Sequence, residues 1–205
     1  MTAAAVSDPT IATKIQHVTQ GDALVVKNGG TFNVESGGAL QIGGTDITAT
    51  MKALANNAAR YVAAGSTLTL TAANDKQTIE LNATGGSVVT LPAATGSGVK
   101  FKFLVTALAT SASHKVQVPN STDFMIGLIS GSRIDSTNVV LGFAAANSGT
   151  VSTNSDTITL NRSTTGSVSV GEWFELEDVA ANTWSVNGML SATGASFGSP
   201  FTAAV

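Results

Sequence analysis

Cysteine is absent from the 205 residues of this chain, which removes disulfides, thiolate metal sites and a cysteine nucleophile at once. Charge is scarce as well. Only 11% of residues are Asp, Glu, Lys or Arg, against about 25% in an ordinary soluble domain. The ten basic residues are scattered from Lys14 to Arg162 without a run, and the net charge is −3. Nucleic-acid binding rests on clustered cations that neutralise phosphates, so no nucleic-acid partner is expected. No apolar stretch approaches the ~18 residues of a membrane span. Met1–Pro9 has no basic start and no apolar core, so no secretory leader is expected and assembly in a cytoplasm is. In place of charge stand Ala, Thr, Ser, Gly and Asn. A surface of small neutral side chains costs little to bury against another subunit.

Three zones follow from pattern. Residues 1–46 hold Ala23–Val26, Thr31–Val34 and Ala39–Ile42, separated by Asn28-Gly29-Gly30, Ser36-Gly37-Gly38 and Gly43-Gly44. Short apolar runs between paired glycines predict an N-terminal β-arm or small sheet. Residues 47–65 predict the one short α-helix. It runs over 47–63, rich in alanine, with Asp46 as cap and Gly65 as stop. Ile47, Met51, Leu54, Ala58 and Tyr61 recur in steps of four and three and form a two-heptad seam. That seam suits either a helix packed on its own sheet or a bundle between subunits. So short a helix needs one or the other to persist in water.

Residues 66–190 read as the body. Alternating segments occur at 66–71, 77–81, 87–91, 99–105, 114–118, 139–143, 156–160, 167–170, 172–176 and 183–186. In Val99–Val105 the apolar residues fall on one face and Lys100 and Lys102 on the other. Many short strands between turns predict a mainly β protein, an antiparallel β-sandwich or barrel with extended N- and C-terminal segments. Trp173 and Trp184 lie on consecutive predicted strands, where pairing across a hairpin would supply core burial. No charged residue follows Asp178, and residues 191–205 form an uncharged tail. It reads either as disordered or as an arm whose Phe197 and Phe201 dock on a neighbouring subunit.

Candidates for chemistry are few. His17 and His114 are the two histidines, and no Gly-x-Ser-x-Gly elbow accompanies them. Glu172, Glu175, Glu177 and Asp178 are close together, but a calcium loop with its glycine is missing. Solvated charges that keep strand edges from aggregating account for them better than a cation site does. Paired carboxylates for glycoside cleavage would have to face each other across a groove, not adjoin on one segment. Thr84–Ser87 and Ser148–Gly149 lack the lysine and helix of a phosphate loop. No catalytic residue, metal or cofactor is expected.

Leu91-Pro92-Ala93-Ala94-Thr95-Gly96-Ser97-Gly98-Val99-Lys100-Phe101-Lys102-Phe103 resembles a segment common in β-domains of phage head and tail proteins. Gly171-Glu172-Trp173-Phe174-Glu175-Leu176 followed by Trp184-Ser185-Val186-Asn187-Gly188 is similar to the ending of the same domains. Thr31–Ile42 resembles a glycine-turned segment near the start of small phage virion proteins. The resemblance implies a tailed-bacteriophage virion structural protein, either a capsid decoration (cement) protein or a tail-fibre module. Such proteins are commonly trimeric and have no catalytic residues to transfer. A long fibre shaft needs sustained repeats, and none occurs at a fixed period, which favours decoration. The expected function is therefore to stabilise a capsid by bridging capsid subunits as a homotrimer on the capsid surface of the virion. Its partners would be copies of itself and the major capsid protein, with no membrane and no enzyme activity. Ile47, Met51, Leu54, Ala58, Tyr61, Phe197 and Phe201 are the expected protomer-interface residues. The alternative is a tail-fibre or receptor- or carbohydrate-binding adhesin module.

Overall fold

The structure, a computed structural model, describes residues 15–18, 23–26, 39, 41–42, 44–48, 51, 60–135, 139–148, 153–193 and 197–205. Two compact units, Met1–Lys52 and Ala53–Val205, divide the chain. In the first unit, β1 (Ile15–Val18) pairs antiparallel with β2 (Ala23–Val26), and β3 (Gln41–Ile42) with β4 (Thr45–Asp46). The segment Thr31–Val34 lies outside the described residues. A helical turn begins where the sequence places it. Asp46 Oδ1 accepts the Thr48 N–H at 2.8 Å, and the Met51 N–H donates to the Ile47 carbonyl at 2.9 Å. Asp46 thus satisfies one of the amides that a helix start leaves unpaired.

The second unit is built from β5 (Tyr61–Ala63), β6 (Thr67–Thr69), β7 (Thr78–Leu81), β8 (Val88–Thr90), β9 (Lys100–Val105) and β10 (His114–Gln117). There follow β11 (Phe124–Arg133), β12 (Val140–Ala144), β13 (Thr157–Leu160), β14 (Trp173–Ala180), β15 (Thr183–Ala192) and β16 (Phe201–Thr202). They form a seven-stranded sheet, β12-β11-β15-β14-β9-β7-β5, and a five-stranded sheet, β16-β13-β10-β8-β6. The mainly β, sandwich-like architecture agrees with the sequence pattern.

The sheets are mixed, not purely antiparallel. From β5 to β10 the chain alternates between the two sheets, and each return lies parallel beside the previous strand of its sheet. This makes a flattened parallel coil. β11 also runs parallel to β15 over ten residue pairs, whereas β14 is antiparallel to both β9 and β15. Tyr61 pairs with Thr78, Thr78 with Lys102, Thr67 with Val88, and Val88 with Lys115. Those unequal coil lengths explain why the sequence displays no fixed period.

Alternation on the strands fills the space between the sheets. Ile79, Leu81, Phe101, Phe103, Phe174, Leu176, Met125 and Ile129 come from the larger sheet, and Val89, Val116, Ile158 and Leu160 from the smaller. The Phe103 and Phe174 rings stack at 4.9 Å, and Trp184 packs against Phe101 at 5.8 Å. Trp184 is fully buried, but Trp173 is not its partner. Trp184 faces Asp178 in the register and Trp173 faces Met189, so the two indoles lie on opposite faces of the sheet.

Three further expectations are corrected. The helix does not reach residue 63, because Tyr61–Ala63 is strand β5, parallel to β7. Residues 167–170 are no strand; Ser167, Val168 and Ser169 turn their amides onto Glu172. The tail belongs to the body. β16 pairs with β13, and Asp156 accepts the N–H groups of Ala204 at 2.8 Å and Val205 at 3.2 Å. Phe201 is buried in the core. Phe197 is buried edge-on against Phe143 at 4.9 Å, above Gly131. Both phenylalanines thus pack within the chain itself. Among the described residues, no helix is long and apolar enough to cross a membrane.

Candidate functional site

The outward face of the seven-stranded sheet carries the features that differ most from a solvated β surface. Because successive strand residues alternate, the residues that pair across strands also share that face. One row reads Leu104, Trp173, Met189, Ser130 and Gly142. Met189 is 53% exposed, and beside this row Leu128 on β11 is 50% and Val140 on the edge strand β12 is 69% exposed. Trp173 is half-buried. A groove of about 300 Å³ opens at the end of the row, between Trp173, Met189, Ile134, Val170 and Ser132, with Glu172 and Ser191 in its wall. Exposed apolar side chains gathered on one face signal a contact surface, whereas scattered ones do not.

The adjoining part of the face is ionic. Lys102 lies opposite Glu175, and Lys100 opposite Glu177. The Lys100 ammonium reaches Glu177 at 3.0 Å, a bond that raises the lysine above its ordinary pKa. Lys102 Nζ stands 5.0 Å above the Trp173 ring, a cation–π distance that joins the ionic and apolar parts.

Glu172 and Asp178, at the two ends of β14, behave differently from the solvated charges that the sequence suggests. Both are buried. Glu172 accepts the N–H groups of Ser167, Val168 and Ser169 at 2.8, 2.7 and 2.6 Å and the Ser191 hydroxyl at 2.7 Å. Asp178 accepts the N–H groups of Thr95, Gly96 and Ser97 at 3.0, 2.7 and 2.9 Å, plus the Ser97 hydroxyl at 2.7 Å. Burial alone would raise the Asp178 pKa, yet bonds from Ser97, Thr95 and Gly96 outweigh it and hold it at about 2. Carboxylates this fully occupied fasten the loops 95–97 and 167–169 to the two ends of β14, the central strand of the face. They have no lone pair aimed at a substrate. Glu175 and Glu177 are partly exposed, but they stand on the central strand of the sheet, paired on both sides, so they guard no strand edge and instead face Lys102 and Lys100.

His114 is likewise structural. Its Nδ1 accepts the Ser87 N–H at 3.0 Å and its Nε2 lies 2.8 Å from the Ala107 carbonyl, so the ring is neutral and protonated on Nε2. Burial lowers its pKa, against the raising effects of Ala107 and Glu172. The unfolded chain therefore takes up the proton first. Stability from this group is present above pH 6.5, the ordinary histidine value, and is lost as the pH falls below it, by up to about 1.4 kcal/mol per pH unit. Urea midpoints between pH 7 and 5 check this: wild type loses stability over that range, and His114→Leu, less stable throughout, lacks the added slope.

Of the seven expected interface residues, the structure brings Ile47 and Met51 onto one helical turn, with Met51 49% exposed. Leu54 and Ala58 lie outside the described residues. Tyr61 is exposed but stands on β5, so it does not continue a helical seam. Phe197 and Phe201 are corrected as above. The sequence reading passed over Leu104, Met189, Leu128 and Val140, and it assigned Trp173 to the core. Their signal was available in part: the alternation that sends Phe101 and Phe103 inward sends Leu104 outward. No protein-family model, no curated protein and no solved structure matches the chain.

Proposed function

We propose that this chain is a structural subunit of a phage virion, which decorates and stabilises the capsid by bridging capsid subunits as a homotrimer. The observation that carries the reading is the apolar strip Leu104–Trp173–Met189 with Leu128 and Val140 beside it, outward on the larger sheet. With only 11% charged residues, the surface around such a strip is cheap to desolvate, which suits a permanent contact. The phage-like segments 31–42, 91–103 and 171–188 support the setting. The loop of the second, residues 95–97, is the one clamped by Asp178. Contact with several capsid subunits at once would stabilise a shell by multivalency and mass action. No active site is part of this role.

The test is the mass of the purified protein in solution, followed by mixing with capsids that lack it. Wild type is expected to be trimeric and to bind. Leu128→Lys with Met189→Lys is expected to give monomers that bind at least about tenfold more weakly, since two charges would be forced into an apolar contact. Monomeric wild type that ignores capsids would sink the reading. A second reading, a carbohydrate-binding adhesin module, draws on the groove beside Trp173, which Ser132 and Ser191 also line. Glycan binding lost on Trp173→Ala, with no capsid binding, would favour it.

A further inference from the structure

A second concavity, of about 270 Å³, opens on the β5–β7–β9 side of the same sheet and goes beyond the decoration role. Arg60, Lys76, Lys100 and Lys102 line it, together with Thr78 and a single carboxylate, Glu175. Four of the chain's ten basic residues thus converge on one pocket of a protein whose net charge is −3. The main chain holds them there. The Thr78 N–H donates to the Arg60 carbonyl at 2.9 Å, Lys76 to Lys100 at 2.7 Å, and Lys102 to Gln77 at 3.1 Å. Lys76 has a left-handed backbone, φ 60, a conformation that costs a lysine about 1 kcal/mol or more and persists only where the surroundings enforce it.

The positive charge is only partly cancelled. Lys100 is paired with Glu177 at 3.0 Å, and Lys76 stands 3.7 Å from Asp75. Lys102 rests on the Trp173 ring, which holds an ammonium without neutralising it. Among the described residues Arg60 has no ion-pair partner. Like charges gathered at one opening repel each other and are relieved by an anion.

We propose that this pocket binds a phosphate or sulfate group, either as the free anion or as the monoester of a small molecule. The Arg60 guanidinium offers two parallel N–H donors to two oxygens, the Lys76 and Lys102 ammonium groups supply point charges, and the Thr78 hydroxyl adds a neutral donor. The volume suits the anionic group and one attached ring, at the lower end of ligand pockets. The site is open to solvent, so its affinity falls with ionic strength.

The experiment is a titration of the full chain at low salt, followed by amide chemical shifts. The ligands are inorganic phosphate, glucose 6-phosphate and glucose. Saturable shifts centred on the amides of Lys76, Thr78, Lys100 and Lys102 are expected with the two phosphates and none with glucose. Tighter binding of the ester assigns the site to monoesters, and equal affinity assigns it to the free anion. Arg60→Gln with Lys102→Gln is expected to weaken binding about tenfold or more, with melting lowered only slightly, because both side chains lie outside the core and Lys102 gives up only its contact with the Trp173 ring. Lys76→Gln, at a side chain 73% exposed, is the second variant and should weaken binding with no risk to folding. Shifts that grow without saturating, that spread over unrelated lysines, or that persist at wild-type affinity in these variants overturn the proposal. The trimer and capsid tests do not depend on this pocket, so either idea can fail alone.

Discussion

Asp178→Ala is expected to destabilise the β body by about 3 kcal/mol, the cost of removing the acceptor from several amides at once. Wild type spends one buried carboxylate on the N–H groups of Thr95, Gly96 and Ser97 and on two hydroxyls. Gly96 needs this arrangement, because its backbone is left-handed, φ +79, and a Cβ there would come within 3.2 Å of Ala180. The same carboxylate makes a prediction about acid. Its pKa falls from 3.8 unfolded to about 2 folded, so the folded state is favoured above pH 4 by about 2 kcal/mol. The sign follows from the depressed value: this stabilisation is complete above the unfolded pKa and disappears as the pH falls towards 2. Asp178→Asn keeps the shape and lacks the titration. Unfolding free energies of the two proteins should differ by about 2 kcal/mol at pH 5 and converge near pH 2. Parallel curves would show that the loop is not held by charge.

Phe197→Ala carries the second large effect, about 3 kcal/mol, the usual range for losing a buried aromatic ring near the edge of a core. The ring stands over Gly131 so closely that a Cβ there would lie 1.7 Å from its Cε1. Gly131→Ala should therefore eject Phe197 and cost a similar amount. In the double variant the added methyl occupies part of the space the ring has left. The two losses should then fall short of additivity by about 1 kcal/mol or more, which a double-mutant cycle measured by urea unfolding reads directly. If Phe197 served a neighbouring subunit instead, its truncation would change the oligomer mass and leave the stability of the isolated chain untouched.

The architecture was legible in the residues wherever alternation was clean. Thr78–Leu81 and Lys100–Val105 alternate and are strands with the expected faces inward, whereas Trp173–Leu176 is a strand that turns Phe174 and Leu176 inward and the expected core residue Trp173 outward. Phe124–Arg133, the strand that β15 and β12 enclose, was missed. Its first six residues include Phe124, Met125, Ile126 and Leu128 without alternation, and Gly127 and Gly131 resemble breakers. Both glycines have reasons within a strand: Gly127 brings the chain close against the Val186 carbonyl, and Gly131 makes room for Phe197. Parallel pairing was invisible because alternation reports a face and not a direction. The candidate site was half legible. The outward lysines were read correctly, but which strands bring Arg60 and Lys76 beside them depends on registers between distant segments. Glu172 and Asp178 looked like solvated charge because nothing local announces amides donated from residues 95–97 or a hydroxyl from Ser191.

The alternating coil also dictates the order in which the protein can be completed during synthesis. β5 to β10 can wind up one strand after another as they emerge, each on a template already present. The coil then ends in two open edges, β9 and β10, whose partners β14 and β13 are encoded much later. Until then the Phe103 ring lacks Phe174 and the β9 backbone lacks half of its ladder. A nascent chain whose emerged part ends anywhere between residues 118 and 156 would display an unprotected sheet edge above an uncovered aromatic core, the very surface on which two such chains would join. A pause in synthesis at that stage is expected to raise the aggregated fraction, and pelleting of chains truncated within that window would measure it.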